Sequence, residues 1–414
     1  MAPPLGGRRP RRGGTPRLPR GAALPGGAAP GDAGGAAAVN PLPAAYLEQF
    51  GEPSGYLEFA STGPVSHRVR EAVAAALEVV ACPPGNASQA IAARLETAAA
   101  AMSRLVGVAP HRVTAVPTTS AGIFQVAFGL LGRPGNVVIP AHEFPANVYP
   151  WLRAEEAGGP EVRRVSCPDY RVTPERLAPA VDAETLVLAV SLVDFITGFR
   201  VDVEALRLAF PAPLLVVDAI QGLGAVGATL EPADVLVAGG QKWLRAGWGS
   251  GLMAVGERAL ERLAPTLTGW CGVERFMDFG VAAPHGALGT AHRFQEGSPP
   301  YFGALQLGAA VEVIELAGIA AIEGAVLERA AAMEEAVRRA GGEVLDPWRQ
   351  RSERAGIVSF RLPAEDPAAT VSRLTDAGLV AARRSGWVRV SPHASTPPET
   401  AARLREALRA SDGD

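Results

Sequence analysis

The chain has 414 residues, 48% of them apolar and 20% charged, and a formal net charge of −3 at pH 7. That balance fits a globular chain with room for two or three domains and a large core. It supplies no overall basic field for nucleic acid, and no run of 18 apolar residues is present to cross a membrane as a helix.

The chain opens with a Pro/Gly/Arg-rich stretch, residues 1–42, with six arginines and one aspartate in its first 40 positions. Few large apolar side chains occur there, so a disordered tail is expected. It lacks the apolar region of a secretory signal. Cys82, Cys167 and Cys271 stand far apart with no CxxC, which suits a reducing, cytoplasmic setting. The six histidines include no pair at i,i+3 or i,i+4, so no metal site is expected.

From about residue 55 the pattern becomes regular. "VSHRVREAVAAALEVV" and "SQAIAARLETAAAAMSRLVG" carry a helical period. Seven short runs rich in Val, Leu and Ile follow: "RVTAVP", "NVVIPA", "EVRRVS", "TLVLAVS", "LLVVDA", "DVLVAG" and "GLMAVG". Most are separated by enough chain for a crossover helix, the pattern of an α/β, doubly wound and mostly parallel sheet. After residue 303 long helices give way to "GIVSFRLP", a helix near 366–377, "GWVRVSP" and a last helix from Pro397. The expected organisation is a large domain over 43–302 with a seven-stranded sheet, then a smaller C-terminal α+β domain over 303–414.

In such a sheet, ligands bind beyond the carboxyl ends of the strands. "RVTAVP" runs into "TTSAG", where Thr118, Thr119, Ser120 and Gly122 offer hydroxyls and N–H groups at a helix start. That combination suits a phosphate, although an ordinary Ser/Thr helix cap has the same sequence. "LLVVD" ends at Asp218, with Gln221 three residues on, and "DVLVAGGQ" leads to Lys242. The 24 residues from Asp218 to Lys242 match two adjacent strands of a βαβ unit.

Lys242 is the only lysine; the other 38 basic residues are arginine. Arginine stays protonated, whereas a desolvated lysine amine can lose its proton and attack a carbonyl. An amine, a carboxylate and an anion cradle on one sheet edge are what pyridoxal 5′-phosphate requires for its aldehyde, its ring nitrogen and its phosphate.

From about Tyr56 onward the chain resembles the class V aminotransferase superfamily of fold type I pyridoxal-phosphate enzymes. That group includes cysteine desulfurases, isopenicillin-N-epimerase-like proteins, kynureninase and several carbon–sulfur lyases. "VVDAIQ…GGQKWL" is the most specific part, and "EFPANVYPW", "RFQEGSPP" and "VRVSPH" follow the family's order. The resemblance implies that Lys242 forms a Schiff base with the cofactor and moves the Cα proton. It implies that Asp218 pairs with the ring nitrogen, Gln221 reaches the phenolic oxygen and Phe144 stacks on the ring. Thr119, Ser120, Gly239 and Gln241 would surround the phosphate. Ser298 would reach the phosphate of a partner subunit, making a homodimer with shared active sites. Arg389 would grip the α-carboxylate of a small, amino-acid-like substrate; a solvent-facing strand arginine is the plain alternative.

Three departures qualify the resemblance. "GLVAARRSGWVRVS" has no cysteine where desulfurases carry a catalytic one, which argues against persulfide chemistry. Phe195 stands where many relatives have an Asn on the phenolic oxygen, and Gln241 replaces a common His. The expected activity is Cα deprotonation of an amino substrate, of class V aminotransferase type. A carbon–sulfur lyase or an amino-acid epimerase is the alternative, and a non-catalytic regulatory homologue ranks below both. Arg383 and Arg384 are available for a second acidic group or for solvent.

Overall fold

The computed structural model describes residues 41–280, 284–363 and 365–409. The Pro/Gly/Arg-rich stretch, apart from Pro41 and Leu42, lies outside the described residues.

All seven apolar runs become strands of one sheet: β1 (Val113–Ala115), β2 (Asn136–Pro140), β3 (Glu161–Val165), β4 (Thr185–Ser191), β5 (Leu214–Asp218), β6 (Val235–Gly239) and β7 (Gly251–Val255). Their order is β1-β7-β6-β5-β4-β2-β3. Strands β2 to β6 pair in parallel, and β7 runs antiparallel to both β6 and β1. Every residue of β2, β5, β6 and β7 is buried, which explains their unbroken apolar runs. Edge strand β3 instead carries Glu161, Arg163 and Arg164 and stays partly exposed. Charge on an edge discourages pairing with another chain.

Alternation along the strands divides the core in two. Leu215, Val217 and Leu236 share one cluster with Met102 and Val106 of the helix Ala87–Val106 and with Leu307 and Ala310 of the helix Tyr301–Ala317. Val216, Val235 and Val237 point the other way, onto Ile123 and Val126 of the helix Thr119–Phe128 and Trp151 of the helix Tyr149–Glu156. The link from β5 to β6 contains no helix, contrary to the crossover pattern. It passes the lysine loop at Gly224. A Cβ on Gly224, whose φ is +94°, would lie 2.8 Å from the Trp243 carbonyl oxygen, so only glycine lets the two loops approach.

The C-terminal part forms a second, antiparallel sheet from β8 (Glu343–Val344), β9 (Val358–Arg361), β10 (Ala382–Arg384) and β11 (Trp387–Val390), in the order β10-β11-β9-β8. Strand β10 falls where the sequence showed no alternation. It is held to β11 by a two-residue turn, Ser385-Gly386, with φ values of 48° and 79°, the paired positive φ of a tight hairpin. An N-terminal segment crosses this sheet: Leu57 N–H donates to Val380 O at 3.1 Å, and Ser391 N–H donates to Leu57 O at 2.7 Å. The segment then reaches the lysine loop, where Gly63 N–H donates to Gln241 O at 2.7 Å. Residues from both ends of the chain therefore meet over the carboxyl ends of β4, β5 and β6.

Candidate active site

Asp218 ends β5 in register with Ser191 of β4 and Val237 of β6. It is 1% exposed. One carboxylate oxygen accepts the Ile220 N–H at 3.0 Å; the other is buried with no hydrogen-bond partner among the described residues. Burial pushes this carboxyl up to about 6, against the opposing pull of the Lys242 charge. An orphaned buried carboxylate oxygen is costly unless a ligand supplies a donor.

Lys242 follows β6 and is 8% exposed. Burial brings its amine down to about 8; Asp218 pulls it up, and Arg389 and Arg384 push it further down. Its Nζ lies 5.2 Å from the centre of the Phe144 ring. Phe144 meets Phe195 edge to face at 5.2 Å. Because Phe144 is still 40% exposed, its free face can receive a planar group beside the amine.

The group around Gly239 has a tighter geometry. Gly239 N–H donates to Thr119 Oγ1 at 2.9 Å. A Cβ on Gly239 would come within 2.5 Å of Gln241 Oε1 and 3.1 Å of Thr119 Oγ1, so these three residues surround one small space. Thr118 caps the helix, its Oγ1 accepting from Ala121 N–H at 3.1 Å. Ser120 sits half-buried in the first turn, where N–H groups have no intrahelical acceptor. Thr119, Ser120, Gly239, Gln241, Lys242, Asp218 and Phe144 thus occupy one sheet edge.

Gln221 is also buried there, but its amide is engaged. Nε2 donates to Ala60 O at 2.9 Å, and Oε1 accepts from Trp243 Nε1 at 2.9 Å. One N–H of the amide is left over. Ser298 lies at the surface, on the turn before the helix Tyr301–Ala317. Its segment is fixed to the cradle helix by Gln125 Nε2, which donates to Glu296 Oε1 at 2.9 Å.

Arg389 of β11 is 2% exposed. Its Nη1 donates to Phe195 O and its Nη2 to Ser61 Oγ, both at 2.7 Å. Its Nε is buried without a partner among the described residues. Burial and the neighbouring Arg384 bring its guanidinium down to about 10. The turn presenting Phe195 O is held by Asp194, whose carboxylate accepts from Ile196 N–H, Thr197 N–H and Thr197 Oγ1 at 3.0, 2.6 and 2.7 Å.

Two groups here, Ser61 and Glu143, had no sequence signal as such. Ser61 and Arg384 join Arg389 only through the fold. Glu143, one residue before Phe144, accepts the Ser191 N–H at 2.7 Å and also bonds the Ser191 hydroxyl. Burial pushes its carboxyl up to about 8, and the nearby Asp218 charge adds to the rise. A neutral Glu143 beside Asp218 avoids two buried like charges.

The donor set fits pyridoxal phosphate. Asp218 Oδ2 awaits a donor, the Gly239–Thr119–Gln241 cradle suits an anion, and Lys242 supplies an amine of lowered basicity. Comparison with known proteins agrees. Isopenicillin N epimerase of Streptomyces clavuligerus is 26% identical over 387 residues, covering 86% of this chain and 95% of that protein. The uncharacterized aminotransferase YcbU of Bacillus subtilis (strain 168) is 26% identical over 70% of this chain and 76% of its own. Among solved structures, the cystine C-S lyase C-DES in complex with cysteine persulfide superposes with a TM-score of 0.78 at 19% identity, covering 86% of this chain and 97% of that one. A cysteine desulfurase from Thermococcus onnurineus NA1 gives 0.77 at 21% identity, over 86% and 94%. These structural likenesses establish the fold. The family description Aminotransferase class-V matches residues 56–411. The chain belongs to the class V aminotransferase family and is a pyridoxal-phosphate-dependent enzyme.

Proposed function

We propose that this protein moves the Cα proton of a small amino-acid-like substrate with Lys242, and that the outcome is amino transfer. The observation that carries the reading is the lone lysine, buried just beyond β6, on the same strand ends as a buried Asp218 oxygen that lacks a donor among the described residues. When bound, pyridoxal phosphate supplies an aldehyde for amines and a ring that withdraws the electron pair left at Cα. Asp218 Oδ2 would keep a proton on the ring nitrogen. Thr119, Ser120, Gly239 and Gln241 would hold the phosphate, and the spare Gln221 N–H would reach the phenolic oxygen. Phe144 would cover one ring face and, with Phe195, keep water away. Arg389 would take the α-carboxylate and turn the Cα–H bond toward Nζ.

An amine near 8 is free often enough at neutral pH to act as a base. The β10–β11 region that would carry a desulfurase cysteine has none, so a persulfide route lacks its nucleophile. We further propose a cytoplasmic homodimer in which the exposed Ser298 serves the phosphate of the partner subunit.

The test starts from Lys242→Arg, which keeps the charge and removes the usable amine. Turnover should fall at least about a thousandfold, roughly 4 kcal/mol, and borohydride should fix the cofactor on Lys242 of the unaltered chain. An adduct elsewhere, or an active arginine variant, ends the assignment. Amino transfer is then read as a keto acid formed only when an acceptor is present; ammonia release or racemisation instead points to elimination or epimerisation. Mixing Lys242→Ala with Ser298→Trp chains should restore about a quarter of the activity if sites are shared. Subunit exchange without recovery would mean Ser298 serves its own chain.

A further inference from the structure

We infer that Arg384 and Arg389, joined through Ser61, form a two-guanidinium site that selects amino substrates carrying a second carboxylate. This rests on the reading of Lys242 and Arg389 above and extends it to the class of substrate.

The hydrogen bonds show the site's polarity. Ser61 Oγ accepts from Arg389 Nη2 at 2.7 Å and from Arg384 Nη2 at 3.1 Å. A serine hydroxyl has two acceptor positions and one proton. Both acceptor positions are filled by guanidinium N–H groups, so its proton is left as an outward donor. Arg389 Nε is a second unpartnered donor. The acceptors that the two arginines find besides Ser61 are neutral carbonyls, Phe195 O at 2.7 Å and Arg383 O at 2.9 Å. Glu58 forms an ion pair with Arg384 at 3.7 Å, too long for a hydrogen bond and partly exposed to solvent, so it answers that charge only weakly. The cluster therefore offers donors and positive charge, and asks for an anion.

Several sheltered arginines elsewhere are paired with carboxylates, although part-buried Arg293, which bonds the Leu260 carbonyl, has none among the described residues. Arg171 has Glu353, Arg200 has Glu323, Arg207 has Asp234 and Arg245 has Glu52. Arg389 is as buried as Arg245 yet has no carboxylate within salt-bridge distance among the described residues. One substrate carboxylate would satisfy Arg389. Arg384 has only its loose ion pair with Glu58 at 3.7 Å, and burial sets where a ligand partner for it would lie. Ala382 is opposite Arg389 in the β10–β11 register, so Arg384, two residues on, shares that face diagonally. Their Nη2 atoms meet on one Ser61 oxygen, at 2.7 and 3.1 Å, so depth rather than spacing tells the two guanidinium groups apart. Arg389 is deep, whereas the Arg384 side chain is 42% exposed. The α-carboxylate therefore belongs inside at Arg389 and the second carboxylate toward the mouth at Arg384. Phe144, 5.2 Å from the Lys242 amine, packs on Phe195, whose carbonyl accepts from Arg389, so the arginine pair borders the lysine's side of the sheet.

Glutarate and butyrate, which carry no amine, separate this inference from catalysis. Their binding to the holoenzyme is measured by calorimetry and by the change in the visible cofactor band. Glutarate should bind more tightly than butyrate. Arg384→Gln should reduce that preference on the order of 10- to 100-fold, the scale of a lost charge-assisted hydrogen bond. Arg384→Lys should recover part of it, and Arg389→Gln should weaken both ligands. In turnover, the kcat/KM advantage of glutamate over glutamine should shrink in Arg384→Gln by a similar factor. A wild-type holoenzyme that shows no glutarate preference overturns the inference. So does an unchanged preference in folded Arg384→Gln protein. A protein that acquires no visible band with pyridoxal phosphate would instead defeat the proposed function itself.

Discussion

Arg245 and Arg389 are the arginines most deeply buried among the described residues, and both join the N-terminal segment to a later part of the chain. Arg245 is fully answered by protein. Glu52 takes both its Nη atoms, at 3.1 and 2.5 Å, and Pro64 O accepts from Nε at 2.6 Å. Ser395 Oγ adds a contact at 3.0 Å, and the guanidinium lies 3.7 Å from the Phe50 ring centre. Beside it His393 is held neutral, first by burial and then by the Arg245 charge. Arg389 has a hydroxyl, a carbonyl and an orphan Nε. A buried charge is tolerated when something pairs it. At Arg245 the pairing is permanent and fixes the lysine loop to both ends of the chain. At Arg389, on the function proposed above, it is left to a ligand.

Removing the permanent partner should therefore have the largest effect on folding. Glu52→Gln leaves Arg245 charged in an apolar surround of Phe50 and Phe59. A stability loss of about 3–5 kcal/mol is expected, seen as a lower urea midpoint with an unchanged slope. If the loss is below about 1 kcal/mol, the Arg245 junction is not the fixed member of the pair and the contrast with Arg389 collapses.

Asp218 extends the comparison to the opposite sign. It is raised from 3.8 to about 6, so between those values the folded apoprotein binds more protons than the unfolded chain. Its contribution to stability therefore falls as pH rises from about 4 to 6 and is at its lowest above 6. The displacement corresponds to roughly 3 kcal/mol as an upper bound. Glu143, raised from 4.5 to about 8, has the same sign and continues the decline toward pH 8. Asp218→Asn should remove the first part of that slope and stabilise the apoprotein near pH 7, while the holoenzyme loses cofactor affinity. Thermal unfolding of both forms from pH 4 to 8 checks this. An apoprotein that Asn destabilises at pH 7 would show that Asp218 is satisfied by the fold.

What the sequence disclosed and what it hid follow one physical division. The seven strands and the Asp218-to-Lys242 spacing rest on local signals: β-branched runs, helix starts and the length of a sheet crossover. The cradle of Thr119 and Gly239 lies close to such signals, although its two halves are 120 residues apart. Ser61 and Arg389 are 328 residues apart, and Arg245 and Glu52 are 193. Nothing in "FASTGP" marks a serine that will receive two guanidinium groups. Arg384 was legible, with Arg383, as a candidate for a second acidic group, but which of the two turns toward Ser61 depends on the Ser385-Gly386 turn that makes β10 a strand. Gln221 shows the reverse: its position in the motif is plain, yet contacts with Ala60 and Trp243 take up most of its amide.

The smallest expected stability change is the sharpest test of the comparison. Arg389→Gln removes a cation that burial and Arg384 both disfavour. It also removes hydrogen bonds to Phe195 O and Ser61 Oγ, of which the glutamine amide can replace one. A lost neutral bond costs about 1 kcal/mol, while relief of an unpaired buried charge acts in the other direction. The apoprotein should therefore stay within about 1 kcal/mol of wild type, far from the loss expected for Glu52→Gln. Substrate turnover should nonetheless fall by about a hundredfold or more, roughly 3 kcal/mol, because the α-carboxylate loses its deep partner. The two measurements on one variant decide the matter. A fall in stability as large as that of Glu52→Gln would make Arg389 a second Arg245, held for the fold, and the search for the carboxylate's partner would move to Arg384.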